Sequence, residues 1–367
     1  MTSYQRIAAA GEKPSAGFCC HQPGPGFAQD MLRAALTNLC APRLDWLQVE
    51  VTTCCQAACG YCPHTVYQEH WASHHLPLAA FRRLLPILKK TRLVHLQGWG
   101  EPFLHPDFFT MASLARRAGC HVGTTTNGML LDADGLRRVV DLEMAVVAFS
   151  LAGVGENNDA VRRGTRFAAI LEKIEALREI KTRKGVSFPE IHVAYMLLRS
   201  GLDDLALVPQ ALEGLGVSQV VVSTLDFVAS PPLARESLKF APPEEYREVA
   251  ARLAEIADQG RRRGLTIHGR LTQPGDVPDL CSENITGSLC VAADMAVAPC
   301  VFLNLPVKAE TYMARGGEDL YRRVSFGVIE AEQSLVRIWR SPDYRRFRRD
   351  WARGDTPPAC RGCLKPQ

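Results

Sequence analysis

Cysteines supply the most chemically suggestive pattern in this 367-residue chain. Cys55, Cys59 and Cys62 are spaced Cys-x3-Cys-x2-Cys within residues 53–65, TCCQAACGYCPHT, and an apolar, strand-like segment at residues 46–52 precedes them. Thiolates are the usual ligands of iron–sulfur clusters. Three of them would bind three irons of a four-iron cluster and leave the fourth iron open, which is the arrangement of a catalytic rather than a closed structural metal site.

Zinc is the main alternative for these three cysteines. Zinc motifs usually consist of paired Cys-x2-Cys units, and a spacing of three followed by two does not match that pattern. Cys54 is adjacent to Cys55, and neighbours in an extended backbone point to opposite faces, so we interpret Cys54 as a small buried hydrophobic residue.

A second group of five cysteines lies near the other end of the chain. Its last two form a Cys-x2-Cys pair in PPACRGC, and its members are Cys281, Cys290, Cys300, Cys360 and Cys363. This grouping predicts a second metal site, for which a zinc ribbon is the alternative. Cys19 and Cys20 lie in a Pro/Gly-rich segment, residues 13–27, and we do not expect them to be ligands.

Composition and charge set broad limits. Hydrophobic residues make up 47% and charged residues 22% of the chain, as in ordinary globular proteins. No apolar run is long enough to span a membrane and no signal peptide is evident, so we expect a cytoplasmic protein. Thirteen cysteines in such a compartment favour metal or redox use over disulfides. The net charge of +4 does not by itself indicate nucleic acid, and the arginine-rich residues 337–353 have the spacing of a solvated helix face.

From residue 46 onward, strand-like segments alternate with helix-like ones. This alternation predicts a parallel sheet, and about six such units would curl into a partial (β/α)6 barrel of the TIM type. We expect an N-terminal extension (1–44), the barrel (45–224), a last barrel element and bridge (225–280) and a cysteine-rich C-terminal domain (281–367).

Polar residues follow the predicted strands at the end where parallel barrels place their chemistry. The sequence GWGEPF follows one predicted strand. Later strands are followed by TNG, by a serine and by the segments NDAVRRGTRF and LLRSG. Their candidate residues are Gly98, Gly100, Glu101, Thr126, Asn127, Ser150, Arg162 or Arg163, and Arg199.

Taken in chain order, these motifs resemble those of the radical S-adenosylmethionine (radical SAM) superfamily. The resemblance implies that the open iron binds SAM and that the reduced cluster cleaves it to a 5'-deoxyadenosyl radical. It also implies that Tyr61 lies against the adenine and that Gly100 and Glu101 grip the methionine amino group, with Trp99 replacing the first glycine of the family's Gly-Gly-Glu motif. Gly98 and Gly100, which flank Trp99, are expected to let the backbone approach the ligand closely.

The later positions follow from the same resemblance. Thr126 and Asn127 are expected at the ribose and Ser150 at the methionine carboxylate. Arg162 is expected to help to hold that carboxylate, and Arg199 to face the same mouth.

The C-terminal cysteines resemble the SPASM or twitch auxiliary-cluster domain. The chain ends four residues after Cys363, which favours the shorter twitch form with one auxiliary [4Fe-4S] cluster. The implied ligands are Cys290, Cys300, Cys360 and Cys363. Cys281 could replace Cys290, because the step from Cys290 to Cys300 is short.

The resemblance implies an oxidoreductase-type radical SAM enzyme. It would abstract hydrogen from a small molecule and pass an electron to the auxiliary cluster, with a reductant such as flavodoxin or ferredoxin as partner and without membrane or nucleic acid. Residues 1–44 are short for a peptide-recognition domain, which favours the small molecule over a peptide. A peptide-modifying maturase and a non-catalytic iron–sulfur or zinc protein are the alternatives.

Overall fold

A computed structural model describes residues 42–269, 271, 281–331 and 334–365. Its strands are β1 (Leu44–Val49), β2 (Ala58–Cys59), β3 (Thr91–Leu96), β4 (His121–Thr126), β5 (Val146–Leu151), β6 (Arg162–Arg163), β7 (Glu190–Leu197), β8 (Val217–Thr224), β9 (Thr266–Gly269), β10 (Ser288–Val291), β11 (Val297–Ala298), β12 (Ala309–Ala314) and β13 (Gly317–Arg322). Its α-helices are α1 (Pro63–Val66), α2 (Leu78–Phe81), α3 (Leu85–Leu88), α4 (Phe108–Arg117), α5 (Ala133–Asp141), α6 (Glu156–Val161), α7 (Phe167–Lys184), α8 (Leu202–Ala211), α9 (Pro243–Arg262), α10 (Leu335–Trp339) and α11 (Pro342–Ala352).

Nine strands form one sheet in the order β11-β10-β1-β3-β4-β5-β7-β8-β9. Every neighbouring pair from β10 to β9 is parallel, and only β11 runs antiparallel to β10. The helices that connect the parallel strands make this the predicted partial barrel. Because β10 pairs with β1, the sheet continues from the barrel into the cysteine-rich region.

Residue alternation assigns the two faces of the sheet. Residues such as Val94, Val147 and Val193 join one apolar core with the helix residues Met111 and Ile174. The opposite face carries polar side chains. Strand pairing places Gln48 beside His95 and His192 beside Gln219, and the His95 ring lies 3.2 Å from the hydroxyl of Thr125. The inside of the barrel is therefore polar, and its outside is apolar.

The structure confirms the predicted fold class and refines several elements. Residues 78–88, whose apolar residues have helical spacing, form α2, a 3-10 turn and α3, with Pro86 in the first turn of α3. The arginine-rich stretch is two helices that are separated at Ser341, which caps α11 through its hydroxyl. Cys19 and Cys20 lie outside the described residues. No helix in the described part of the chain is long and apolar enough to cross a membrane.

Candidate active site and auxiliary cysteines

The loop after β1 holds the first three cysteines at the carboxyl end of the sheet. Strand β2 in this loop pairs antiparallel with β6, which sets Cys59 opposite Arg162. Trp71 Nε1 donates a hydrogen bond to the carbonyl of Thr53 at 3.0 Å, and the Cys62 backbone N–H donates to the carbonyl of Cys59 at 3.0 Å. The loop is therefore anchored at its start by Trp71 and closed by a turn at Cys59–Cys62, and Cys59 is buried while Cys55 and Cys62 are partly buried.

These three thiols influence one another electrostatically. The pKa of Cys55 is raised to about 11 and that of Cys62 to about 12; burial is the largest cause of both shifts, and charge on Cys59 contributes to each. The positive charge of Arg162 acts in the opposite direction on both pKa values. Thiols that burial keeps protonated become thiolates when a metal supplies the compensating charge, so this trio suits an iron–sulfur cluster.

Arg162 and Arg163, which the sequence left as alternatives, differ sharply in position. Arg162 is buried, and one of its Nη atoms donates to the hydroxyl of Tyr61. Its Nε is also buried and has no hydrogen-bond partner among the described residues. Arg163 is exposed and donates to the carbonyl of Ala58. Of these two arginines, Arg162 is thus the one that offers an unused, buried donor beside the cysteines, as a bound carboxylate would require.

Glu101 ties the ends of two neighbouring strands together. Its carboxylate accepts hydrogen bonds from the Thr126 hydroxyl at 2.6 Å and from the Asn127 backbone N–H at 2.7 Å. Burial raises the pKa of Glu101, and these hydrogen bonds oppose that shift. The side chain of Asn127 is also close to Cys55, with its Nδ2 at 3.9 Å from the sulfur. Glu101, Thr126 and Asn127 therefore form one polar group at the edge of the cysteine loop.

Gly98 and Gly100 are required for packing within the protein. A Cβ atom at Gly98 would lie 2.1 Å from Cγ of Glu50, and one at Gly100 would lie 2.5 Å from the carbonyl oxygens of Thr52 and Cys54. No substituent fits at either position, so the strand end after β3 can pack directly against the start of the cysteine loop.

Ser150 and Arg199 complete the predicted set. Ser150 is partly buried near the end of β5, next to Ala194 of β7. The guanidinium of Arg199 makes a two-point ion pair with Glu245 of α9. The structure thus brings Ser150 to the carboxyl end of the sheet, whereas it directs Arg199 to a helix outside the barrel.

The second cysteine group also lies in a buried setting. Charges on Cys363 and Cys281 both raise the pKa of the Cys300 and Cys360 thiols, and burial is the largest cause of each shift. Burial likewise raises the pKa of Cys281 to about 12, with a contribution from Cys363. Cys281, Cys300, Cys360 and Cys363 are therefore within electrostatic range of one another.

Cys290 has a different environment. It lies in β10 opposite Ala298 of β11. Burial raises the pKa of its thiol, and the largest charge contributions come from Glu50 and Glu283 rather than from a cysteine. The structure groups Cys281, in preference to Cys290, with the other three cysteines.

The described residues contain no three His, Cys, Asp or Glu side chains that converge closely enough to enclose a single metal ion. Ligands of a four-iron cluster need not converge in this way, because each thiolate binds a different iron. The buried, mutually interacting thiols of both groups fit such clusters.

Trp99 connects the two cysteine regions. Its indole Nε1 donates to the carbonyl of Val301, next to Cys300, at 3.3 Å, and its ring contacts Phe302 with centroids 5.7 Å apart. Along the chain, Trp99 is two residues before Glu101. The sequence identified Trp99 only as a departure from a motif, and its bridging role was not predicted.

Sequence reasoning also missed Glu50. This buried carboxylate accepts hydrogen bonds from the backbone N–H groups of Trp99 at 2.9 Å and Ala293 at 3.3 Å. Burial raises its pKa to about 7. A charged residue within the apolar sequence LQVEVT was the available signal.

A cavity of about 440 Å³ adjoins the auxiliary cysteines. Phe227, which follows β8, and Tyr312 of β12 line it, and their rings stack with centroids 5.5 Å apart. Cys363 and Asp226 also contribute to its wall. The cavity volume is in the range of small-molecule sites.

A partial parallel barrel with an open three-cysteine loop at its catalytic end, extended by a second cysteine group, defines an iron–sulfur-dependent barrel protein. Comparison with known families agrees: residues 49–198 match the Radical SAM superfamily model and residues 281–364 match the SPASM model, an iron–sulfur cluster-binding domain. The chain belongs to the radical SAM superfamily and has a C-terminal SPASM domain. These domains bind SAM with a [4Fe-4S] cluster and auxiliary iron–sulfur clusters, respectively.

Two relatives illustrate the range of the family. The chain is 26% identical over 314 residues to the tungsten-containing aldehyde ferredoxin oxidoreductase cofactor-modifying protein of Pyrococcus furiosus, an alignment that covers 83% of each chain. It is 25% identical over 162 residues to the mycofactocin maturase MftC of Mycobacterium ulcerans, which covers 43% of this chain and 42% of the relative.

A solved structure shows the same fold. SuiB of Streptococcus suis, bound to the precursor peptide SuiA, superposes with a TM-score of 0.61 over 98% of this chain and 80% of SuiB, at 11% identity. SuiB bound to SAM gives a TM-score of 0.59 over 88% and 71%, at 12% identity. At this identity the likeness concerns the fold.

Proposed function

We propose that this protein is an oxidoreductase-type radical SAM enzyme that removes hydrogen from a small-molecule substrate and uses an auxiliary cluster to accept the remaining electron. The observation that carries the proposal is the bridge made by Trp99, which lies two residues before Glu101 in sequence and donates a hydrogen bond to the carbonyl of Val301, the residue that follows Cys300. A substrate held between the two cysteine groups would be near both.

In this proposal, Cys55, Cys59 and Cys62 hold the catalytic cluster. When bound, that cluster and SAM supply the radical that abstracts hydrogen. Arg162 would bind the methionine carboxylate through its unused Nε, because a buried guanidinium is a strong donor to carboxylates. Its partner Tyr61 would be held against the adenine.

Other residues at the strand ends would orient SAM. Glu101 fixes the backbone of Asn127 and the hydroxyl of Thr126, which leaves the Asn127 side chain at the cysteine loop. Gly98 and Gly100 let these residues approach the loop, and Ser150 lies at the end of the adjacent strand. Arg199 would take part only if it exchanged Glu245 for the ligand.

For the auxiliary cluster, we propose the ligands Cys281, Cys300, Cys360 and Cys363. Their shared electrostatic environment supports this choice over the set that contains Cys290. Four thiolates would leave no open iron, which suits electron transfer rather than substrate binding.

Two observations support a small-molecule substrate. The relative that covers 83% of this chain is named for modification of a cofactor. The cavity of about 440 Å³ beside Cys363 has the size of a small-molecule site. A peptide substrate is the second candidate, since a protein of the same fold was solved with a precursor peptide.

Substrate-stimulated cleavage of SAM tests the proposal. The anaerobically reconstituted protein is incubated with SAM and dithionite, and 5'-deoxyadenosine is measured with and without separated extract fractions below and above about 1 kDa. We expect stimulation by the small-molecule fraction; stimulation by the peptide fraction alone would favour a maturase. If the parent and the Cys55→Ala variant both form no 5'-deoxyadenosine, the catalytic proposal is wrong.

A further inference from the structure

We propose that the exposed face of α11 docks an acidic one-electron carrier protein of the flavodoxin or ferredoxin type. The carrier would exchange electrons with the auxiliary cluster that lies beneath this helix. This inference rests on the proposed function and assigns a surface to the redox partner.

Positive charge is concentrated around this helix. Residues 334–365 contain nine Lys or Arg and three Asp residues, a net charge of +6 in a chain whose total is +4. The remainder of the chain is therefore slightly negative. Such a local excess attracts a protein of opposite charge and speeds its association.

The charge lies on one side of α11. Arg345, Arg346, Arg349 and Arg353 are all exposed, and at about 100° per residue they fall within a stripe about 100° wide. Tyr344 and Phe347 point to the opposite side and are buried. We call the four arginines the arginine face.

Neighbouring acidic side chains neutralise this face only weakly. Arg346 is 3.5 Å from Asp343 and Arg349 is 3.6 Å from Asp350, and exposed pairs of this kind contribute little. Arg348 provides a contrast, because it lies 3.6 Å from the centroid of the Trp339 ring and donates to the Trp339 carbonyl at 2.7 Å. Arg348 stabilises the fold, whereas the arginine face is available to a partner.

The buried side of the same helix faces Cys300, one of the four proposed auxiliary ligands. Tyr344 is fully buried, stacks on Phe326 with ring centroids 4.2 Å apart, and lies within electrostatic range of Cys300 and Cys290. A partner on the arginine face would thus lie across one helix, roughly 10 Å thick, from the buried side that faces Cys300. This proximity favours an electron carrier over a nucleic acid. A nucleic acid would bind to the positive charge alone, whereas an electron carrier must also approach the cluster.

A one-electron carrier suits both halves of the redox balance, because its reduced form would supply the electron that SAM cleavage consumes and its oxidised form would take back the electron that the substrate releases. A two-electron oxidation removes one electron with the abstracted hydrogen atom and leaves a second electron and a proton on the substrate. The oxidised carrier would accept that electron by way of the auxiliary cluster, and the proton would pass to solvent.

A pair of charge-reversal variants tests the docking surface. The triple variant Arg345→Glu/Arg346→Glu/Arg349→Glu changes the arginine face. The control Arg247→Glu/Arg261→Glu/Arg262→Glu makes the same change in net charge on exposed residues of α9. Thermal unfolding of both variants establishes that they fold.

Binding of purified, oxidised flavodoxin to the full chain is measured by biolayer interferometry at low and high salt. We expect the arginine-face variant to bind at least about tenfold more weakly at low salt and to lose most of the salt dependence, while the control changes less than about twofold. Equal losses in both variants, or no loss in either, would overturn the proposal. So would weaker binding of a 20-nucleotide RNA by the arginine-face variant with unchanged flavodoxin affinity.

The reaction with dithionite separates the two proposals, because this small reductant needs no docking site. If the arginine-face variant forms 5'-deoxyadenosine normally with dithionite but at least about fivefold more slowly with reduced flavodoxin, the docking surface is supported. If both rates are equal to those of the parent, the docking surface is wrong. The absence of product in the parent itself would contradict the proposed function without touching the binding result.

Discussion

Arg162 lies directly opposite Cys59 in the antiparallel pairing of β6 with β2, and its side chain donates to the hydroxyl of Tyr61. A single residue thus braces the cysteine loop through its backbone and presents a buried cation beside it. The neighbouring Arg163, one residue along the strand, is exposed. This difference makes Arg162 the residue through which the site can be tested most directly.

Replacing Arg162 by Gln should weaken SAM binding. The variant loses the buried donor, and a charge-assisted hydrogen bond to a carboxylate is worth about 1.5–3 kcal/mol, which corresponds to a Kd about 10- to 100-fold higher. Anaerobic calorimetric titration with SAM measures the change. Arg163→Gln is the matched control and should bind as the parent does. If the Arg162→Gln variant kept its iron and bound SAM with the Kd of the parent, Arg162 would not contribute to SAM binding.

The sequence was informative where a motif combined spacing with chemistry. The alternation of strand-like and helix-like segments predicted the barrel. The three-cysteine loop and the polar residues after successive strands predicted the position of the site, because parallel strands place their carboxyl ends at one edge. It could not distinguish Arg162 from Arg163, since the pairing of β6 with β2 is a long-range contact. It also failed to identify the partner of Arg199, because Glu245 lies 46 residues away.

The fourth auxiliary ligand illustrates another limit. Spacing alone allowed Cys281 or Cys290, and sequence reasoning gave preference to Cys290. The placement of Cys290 inside β10, paired with β1, depends on a sheet that crosses from the barrel into the cysteine-rich region. No local pattern in the sequence indicates that pairing.

Iron content should separate Cys281 from Cys290. In a Cys55→Ala/Cys59→Ala/Cys62→Ala background, only the auxiliary cluster remains, at about four irons per chain. Adding Cys281→Ala should reduce iron to near zero, whereas adding Cys290→Ala should leave it near four. Iron and labile sulfide analysis of the reconstituted proteins measures both. The reverse pattern would restore Cys290 as the ligand.

Gly100→Ala should disrupt the catalytic loop. The new Cβ would lie 2.5 Å from two backbone oxygens, which cannot move without shifting the loop that carries Cys55. We expect a destabilisation of about 2 kcal/mol or more, within the range of overpacking. Gly60→Ala is the control in the same loop, because its Cβ would meet only the Val161 carbonyl, at 3.9 Å. Thermal unfolding and iron content should change in the Gly100 variant alone, and equal effects would contradict the packing explanation.

Trp99→Phe should loosen the contact between the barrel and the auxiliary region. The substitution removes the hydrogen bond to Val301 but retains a ring beside Phe302, so we expect a loss of about 1 kcal/mol. Limited proteolysis of the C-terminal region should be faster. Trp339→Phe provides a comparison, because it also removes one indole but lies within α10. If only Trp339→Phe accelerated cleavage, the bridge by Trp99 would not stabilise this junction.

Glu50 should make stability depend on pH in a defined window. Burial raises its pKa from 4.5 to about 7, so between these values the folded protein retains a proton that the unfolded chain releases. The stability that protonated Glu50 contributes is therefore fully present below pH 4.5 and is lost as the pH rises to about 7. The free energy of unfolding falls by about 3 kcal/mol across this window. The Glu50→Gln variant should lack this pH dependence of stability, because Gln does not titrate. Denaturant unfolding of the parent and the variant from pH 4 to 8 should give curves that diverge through that window, whereas the exposed Glu172→Gln control should run parallel to the parent. Parallel curves for Glu50→Gln as well would show that the pKa of Glu50 in the folded protein is not raised above its ordinary value.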